Sequence, residues 1–205
     1  MILDLKTLSA NRVYHAMTQT LVPRPIAWVL SENGQRGFNL APFSYFTGIS
    51  SDPPLLMLSV GLKSDGSPKD TLVNIGERFD FVVHIPAMPQ AHQVAASAME
   101  LPPEESEVSR LGLELTEFGD FRLPRLVGCP VAFACERHKV IEMGNTPQHL
   151  IFGRIDLIHV DDAVIETGDK GHFTVHAERM NPACRLGGET FAPLGAALRL
   201  PRPKP

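Results

Sequence analysis

Cysteine, tryptophan and positive charge are all scarce in this chain. Its 205 residues hold three cysteines and one tryptophan, and 19 basic against 23 acidic side chains leave a net charge of −4. Cys129, Cys135 and Cys184 are odd in number and nowhere spaced as CxxC, which argues against a disulfide framework or a zinc knuckle. No basic run exists to neutralise a phosphate backbone, so no nucleic-acid partner is expected. No window approaches the roughly 20 apolar residues of a membrane span, and Asp4, Lys6 and Arg12 interrupt the first residues as they would not in a signal peptide. A cytoplasmic protein with no membrane partner is expected. The chain also lacks GxGxxG, hence a Rossmann dinucleotide site, and GxSxG, hence a serine-hydrolase elbow. His172 and His176 stand four apart with no further ligand at recognisable spacing, so no metal is expected.

What the chain has in quantity is punctuation: 18 prolines and 16 glycines fall between apolar runs, the pattern of many short strands joined by turns. A chain of this length buries one substantial core, which predicts a single domain over 1–196 and a flexible tail over 197–205. Residues 25–30 and 55–60 are short apolar runs that read as buried strands, and 79–85 alternates as a half-buried strand. Ser67, Pro68 and Asp70 read as cap, first turn and capping-box partner of a helix. A second, amphipathic helix is expected over 87–99, followed by an exposed loop or short helix over 101–110. Two extended segments, 131–143 and 149–160, flank Gly144, Asn145, Thr146 and Pro147 and predict an antiparallel hairpin. One more strand is expected over 172–176, and the NPACRLGG segment around Cys184 is expected to be irregular.

Two constellations could carry chemistry. In the first, Ser59, Val60 and Gly61 end a strand, and Ser67, Lys69, Asp70 and Thr71 open a helix. A helix N-terminus with unpaired N–H groups, a lysine and two hydroxyls makes a phosphate cradle. It is no Walker loop, because Ser67 and Pro68 stand where Lys and Ser or Thr would be needed. An ordinary surface helix cap accounts for the same residues, and on their own they favour that reading. In the second, Asn39, Leu40, Ala41, Pro42, Phe43 and Ser44 offer polar and small residues such as a flat ring slot needs, or simply a turn between strands.

The run from Arg24 to Asn74, with NLAPFS followed by SDPP and then KDT, resembles the FMN-binding core of the flavin reductase-like family, the split-barrel group that includes flavin reductases and flavoredoxin. The resemblance implies that Lys69, Asp70 and Thr71 lie by the FMN phosphate. It implies equally that Asn39, Leu40, Ala41, Pro42 and Ser44 run along the flavin ring and ribityl chain, with Arg24 and Ser59, Val60 and Gly61 nearby. His149 opens a strand where related reductases often carry a histidine that positions nicotinamide, commonly after Gly-Asp; here Pro147 and Gln148 precede it. The implied fold is mainly β, a six-stranded antiparallel Greek-key split barrel with peripheral helices, assembled as a homodimer with FMN at the subunit interface. The implied function is transfer of electrons from NAD(P)H, a transient co-substrate, to flavin, and onward to a monooxygenase or an electron-transfer protein. A flavoredoxin-like protein with tightly bound FMN and a flavin-binding module without turnover are the alternatives.

Overall fold

The lone tryptophan marks where the sheet meets its covering layer: Trp28 is fully buried and its indole N–H donates to Ser97 Oγ at 2.8 Å. The protein is described here from a computed structural model covering residues 1–35, 37–201 and 203. In chain order the elements are α1 (Ala10–Thr20), β1 (Ala27–Glu32), β2 (Phe38–Phe43), β3 (Phe46–Ser51), β4 (Pro54–Val60), α2 (Asp70–Arg78), β5 (Asp80–Ile85), α3 (Ala91–Ala96) and α4 (Glu107–Arg110). They continue through β6 (Leu115–Phe118), β7 (Phe121–Leu126), β8 (Val131–Met143), β9 (Gln148–Val160), β10 (Ile165–Thr167), β11 (Phe173–Val175), α5 (Ala177–Met180), β12 (Cys184–Arg185) and β13 (Phe191–Ala192). Among the described residues no helix is long and apolar enough to cross a membrane.

The main sheet is antiparallel and has seven strands in the order β2-β1-β5-β8-β9-β4-β3. Its two edge strands, β2 and β3, are consecutive in sequence and linked through Ser44 and Tyr45, so the sheet has to curl until its edges converge. No ladder joins those edges among the described residues, which leaves a split seam. The bend is helped by register shifts in β8 between Ala134 and Cys135 and between Arg137 and Lys139, since a bulge kinks and twists its strand. At Gly153 of β9 the ring of Phe81 packs so closely that no Cβ would fit. The seventh strand, β3, is one the sequence patterning does not announce: it is polar and mostly exposed, with no apolar face to declare it.

Strand alternation sends side chains to two cores, one on each face of the sheet. Ala27, Val29, Phe81, Val83, Leu56, Leu58, Val60 and Ile151 fill the inside of the curl. Trp28, Leu30, Leu40 and Val82 face outward under α3, α4 and the β6–β7 hairpin. The expectation of a half-buried strand over 79–85 is therefore corrected: β5 is covered on both faces, and even His84 is fully buried. Its Nδ1 lies 3.0 Å from Trp28 O, while the backbone N–H of Leu126 donates to Nε2 at 2.9 Å. With Nε2 accepting, the proton sits on Nδ1 and the ring is neutral; burial pushes its pKa down to about 4.

The hairpin is observed as β8 and β9, joined by the turn the glycine and proline signals mark. The second expected helix is shorter than its periodicity suggests, a 3-10 turn over Met88–Gln90 and then α3. The last expected strand shrinks to β11. The NPACRLGG segment is not wholly irregular, because Cys184 and Arg185 pair with Ala192 and Phe191, and Arg185 also bridges to Arg24. A ladder this short leaves Pro182, Gly187 and Gly188 outside it. Cys129, Cys135 and Cys184 are all free and buried, and burial pushes the Cys129 thiol up to about 12. The described residues beyond β13 have no regular structure, with Leu198 and Leu200 exposed; of the expected tail, Arg202, Lys204 and Pro205 lie outside the described residues.

Candidate functional site

A cleft of about 1290 Å³ runs along β2. At one end Asn39 Nδ2 donates to Thr71 Oγ1 at 2.9 Å, tying the strand to the first turn of α2. At the other, Arg24 Nε donates to Ser44 Oγ at 3.3 Å. Residues Asn39 to Ser44 span roughly 17 Å at about 3.3 Å per residue, so β2 forms the long wall and each end has its own chemistry.

The α2 end carries two lysines, each facing a carboxylate. Lys63 Nζ and Asp70 Oδ1 are 2.8 Å apart, and Lys69 Nζ lies 4.0 Å from Glu100 Oε1. Helix α2 begins at Asp70 with Lys69 in the cap position and no side-chain cap, so the expected start at Ser67 is corrected. The reason is the turn before it: Leu62 bridges to Pro68 and Lys63 N–H donates to Ser67 O at 2.8 Å, holding residues 62–68 in a loop. Within that loop the Ser67 hydroxyl donates to Asp65 Oδ1 at 2.6 Å, and Ser67 is absent from the cleft wall. Lys69, Asp70 and Thr71 do line it, together with Lys63, which the sequence reading did not select.

The middle wall is built by Ala41, Pro42, Phe43, Ser59 and Gly61. Leu40 and Val60, both candidates, are fully buried and point away from the cleft, one into each core, because their neighbours on the strand face it. The Leu40 backbone matters nonetheless: its N–H donates to Glu107 Oε2 at 2.8 Å, and Ser106 Oγ donates to Phe38 O at 2.5 Å. The start of α4 thus covers the free edge of β2. Burial raises the pKa of Glu107, which also faces the cleft.

The β8–β9 turn closes the opposite side with Thr146 and Pro147, joined by Gln148 at the start of β9. Ser59 Oγ donates to Gln148 Oε1 at 3.3 Å, and a Cβ at Gly61 would stand 3.2 Å from Gln148 Nε2, so glycine lets the amide lie against the strand end. His149, next along β9, is absent from the wall; its Nε2 lies 3.7 Å from Glu142 on β8. Alternation puts the glutamine, not the histidine, in the cleft.

Residues far apart in the chain complete the other end: Tyr14, His15 and Thr18 of α1, Arg24, Tyr45, Arg185, Glu189 and Phe191. Of these only Arg24 was legible beforehand. Its guanidinium is buried and donates to Thr18 O and Leu21 O, both at 2.5 Å, and to Leu186 O at 2.9 Å. Nothing in local sequence could pair α1 with the β12–β13 ladder; the carbonyls around Arg24 do so.

The flavin reductase like domain family matches residues 18–178, and the chain belongs to that family. An uncharacterized protein, YwrF of Bacillus subtilis, is 36% identical over 200 residues, covering 96% of each chain. Nitrilotriacetate monooxygenase component B from Bacillus cereus has a structure similar to this one, with a TM-score of 0.88, 31% identity and 98% of each chain covered. A chain with a split barrel domain from Shewanella frigidimarina shares the fold at a TM-score of 0.81 and 16% identity, covering 97% of this chain and 96% of that one. The protein is thus a mainly β member of a flavin-binding family.

Proposed function

We propose that this protein is an FMN-binding oxidoreductase that passes electrons from NAD(P)H to flavin. The observation that carries the proposal is the layout of the cleft: Lys63, Lys69 and the first turn of α2 at one end, and a wall of Asn39, Ala41, Pro42, Phe43 and Ser44 leading away from them. Such a donor set fits FMN, since a dianionic phosphate is favoured by a helix N-terminus and ammonium groups, while a planar ring needs backbone within reach.

FMN, when bound, supplies the two-electron chemistry. The chain's residues bind and orient it. Lys69 and Lys63 meet the phosphate, with Asp70 holding Lys63 in place. Thr71 presents a hydroxyl whose oxygen already accepts from Asn39, so its proton remains free to be donated. Ala41 and Gly61 keep the walls shallow, and Ser59 with Gln148 bounds the face at which a nicotinamide would dock. No side-chain acid or base is required. Reduced flavin would then serve an acceptor, and the likeness to a component of nitrilotriacetate monooxygenase supports a monooxygenase partner. A homodimer in the cytoplasm, a Greek-key path for the barrel strands and a single domain over 1–196 belong to the same proposal.

One observation favours a second reading, a flavoredoxin-like protein reduced by a protein partner: His149 does not face the cleft. Visible spectra of the FMN-loaded protein, taken anaerobically before and after NADH or NADPH, separate the two. Bleaching at useful rates supports the reductase; a flavin that stays oxidised with both donors overturns it. Purified protein that is colourless and takes up no FMN would overturn both readings.

A further inference from the structure

The cleft continues past Ser44, beyond the end assigned above to phosphate and ring, into a region with a different electrostatic character. Arg24 and Arg185 both line it, and among the described residues neither lies within ion-pair distance of a carboxylate. Arg24 has a structural explanation. It spends its donors on the carbonyls of Thr18 and Leu21 at the end of α1, on Leu186 O and on Ser44, and a cation is favourable at a helix C-terminus. Arg185 has none of that kind. Its guanidinium makes a single hydrogen bond among the described residues, to Gly188 O at 2.5 Å, and lies 4.6 Å from the centroid of the Phe191 ring. Burial is the main cause that lowers its pKa; Tyr14 acts the other way, the nearby Arg24 cation adds to the lowering and Glu189 opposes it.

A second group is also unexplained. The Tyr45 hydroxyl is buried and has no hydrogen-bond partner among the described residues, a state that costs free energy unless something else supplies the partner. Its ring meets Tyr14 edge-to-face at 6.4 Å, and Arg24 lies 5.9 Å from the same ring. An arginine fork with donors to spare, an orphaned phenol and three aromatic faces converge on one end of the cleft. His15 on α1 also lines this end, and Glu189 is the carboxylate that lines it.

We propose that this end of the cleft is a carboxylate subsite that takes a planar aromatic acid. Arg185 receives the carboxylate through its fork, Tyr45 donates its hydroxyl to the same group, and the rings of Tyr14, Tyr45 and Phe191 contact the aromatic body. Such an acid would lie at the end of the cleft away from the phosphate cradle. The inference rests on the flavin reading only in placing the phosphate at α2.

Calorimetric titration of the FMN-loaded and FMN-free protein with benzoate, and with benzamide as its neutral counterpart, tests it. Benzoate is expected to bind at least about tenfold more tightly than benzamide, and Arg185→Gln to abolish that preference. Arg185→Lys should retain part of it, and Tyr45→Phe should weaken benzoate about threefold or more. Circular dichroism identifies a variant that fails to fold, and Tyr45→Phe and Arg185→Lys then carry the test. Equal binding of benzoate and benzamide, or an Arg185→Gln protein that binds benzoate as the parent does, overturns the subsite. So does an Arg185→Gln variant that loses FMN yet keeps riboflavin, since the phosphate would then be the anion at Arg185. Protein that takes up no FMN but binds benzoate through Arg185 keeps the subsite and sinks the flavin reading. FMN uptake without benzoate binding does the reverse.

Discussion

Asn39 and Thr71 are 32 positions apart and joined by a 2.9 Å hydrogen bond, which fixes the β2 wall of the cleft to the first turn of α2. Both are buried. Thr71→Val removes the hydroxyl and strands the Asn39 amide, so FMN affinity should fall by about tenfold with a loss of stability of roughly 1–3 kcal/mol. Thr71→Ser keeps the oxygen and should retain most of both. Flavin fluorescence titration and urea unfolding measure the two effects; a Thr71→Ser variant as impaired as Thr71→Val would contradict the role given to the hydroxyl.

Lys69 is expected to recognise the phosphate alone. Lys69→Ala should weaken FMN by about tenfold and riboflavin hardly at all, the scale of one charge-assisted hydrogen bond. Equal losses for the two ligands would remove Lys69 from the phosphate site.

Gln148 and His149 separate by the faces they present. Gln148→Ala should slow reduction of bound flavin by NAD(P)H by about tenfold, through misplacement of the docking donor, and His149→Ala by less than about threefold. Stopped-flow traces in which the histidine variant is the slower would restore the role the resemblance implied for it.

His84 gives the fold a pH dependence. Its pKa is about 4 in the folded chain against an ordinary 6.5, so between those values the unfolded chain binds more protons. The stabilisation is complete above pH 6.5, shrinks as pH falls through that window and is gone below 4. The expected loss by pH 4.5 is roughly 2–3 kcal/mol, from about 1.4 kcal/mol per pKa unit. Urea unfolding at pH 7.5 and 4.5 reads it, and His84→Gln, which has no such titration, should show a correspondingly shallower change. Parallel pH profiles for the two chains would show that His84 is not the source.

Glu107 closes the edge of β2, so Glu107→Ala should leave the Leu40 N–H without a partner and cost roughly 1–3 kcal/mol. Glu107→Gln keeps an acceptor and should cost less. Unfolding midpoints that do not distinguish the two would argue that water replaces the carboxylate.

The hairpin Val131–Met143 with Gln148–Val160 was legible in the sequence because its strands are long and its turn carries glycine and proline. The KDT and NLAPFS segments were legible as motifs, but a motif is a contiguous string and a strand faces two ways. Leu40 and Val60 therefore belong to the motifs yet point into the cores, while their neighbours' side chains reach the cleft. Alternation along β9 likewise exchanges His149 for Gln148. Tyr14, Arg185 and Glu107 escaped for a different reason: each reaches the cleft from an element joined to it only by tertiary hydrogen bonds, such as those Arg24 makes to Thr18 and Leu186. No local pattern encodes such a meeting.

The turn between β8 and β9 supplies Thr146 and Pro147 to the cleft, beside Gln148 at the start of β9, while the ladders on either side are anchored in the core. Insertions or exchanges there would leave strand register and both cores intact. On the proposed reading it is thus the place where donor choice can be altered with least harm to the fold, and libraries confined to residues 144–147 should change donor preference without sacrificing folding.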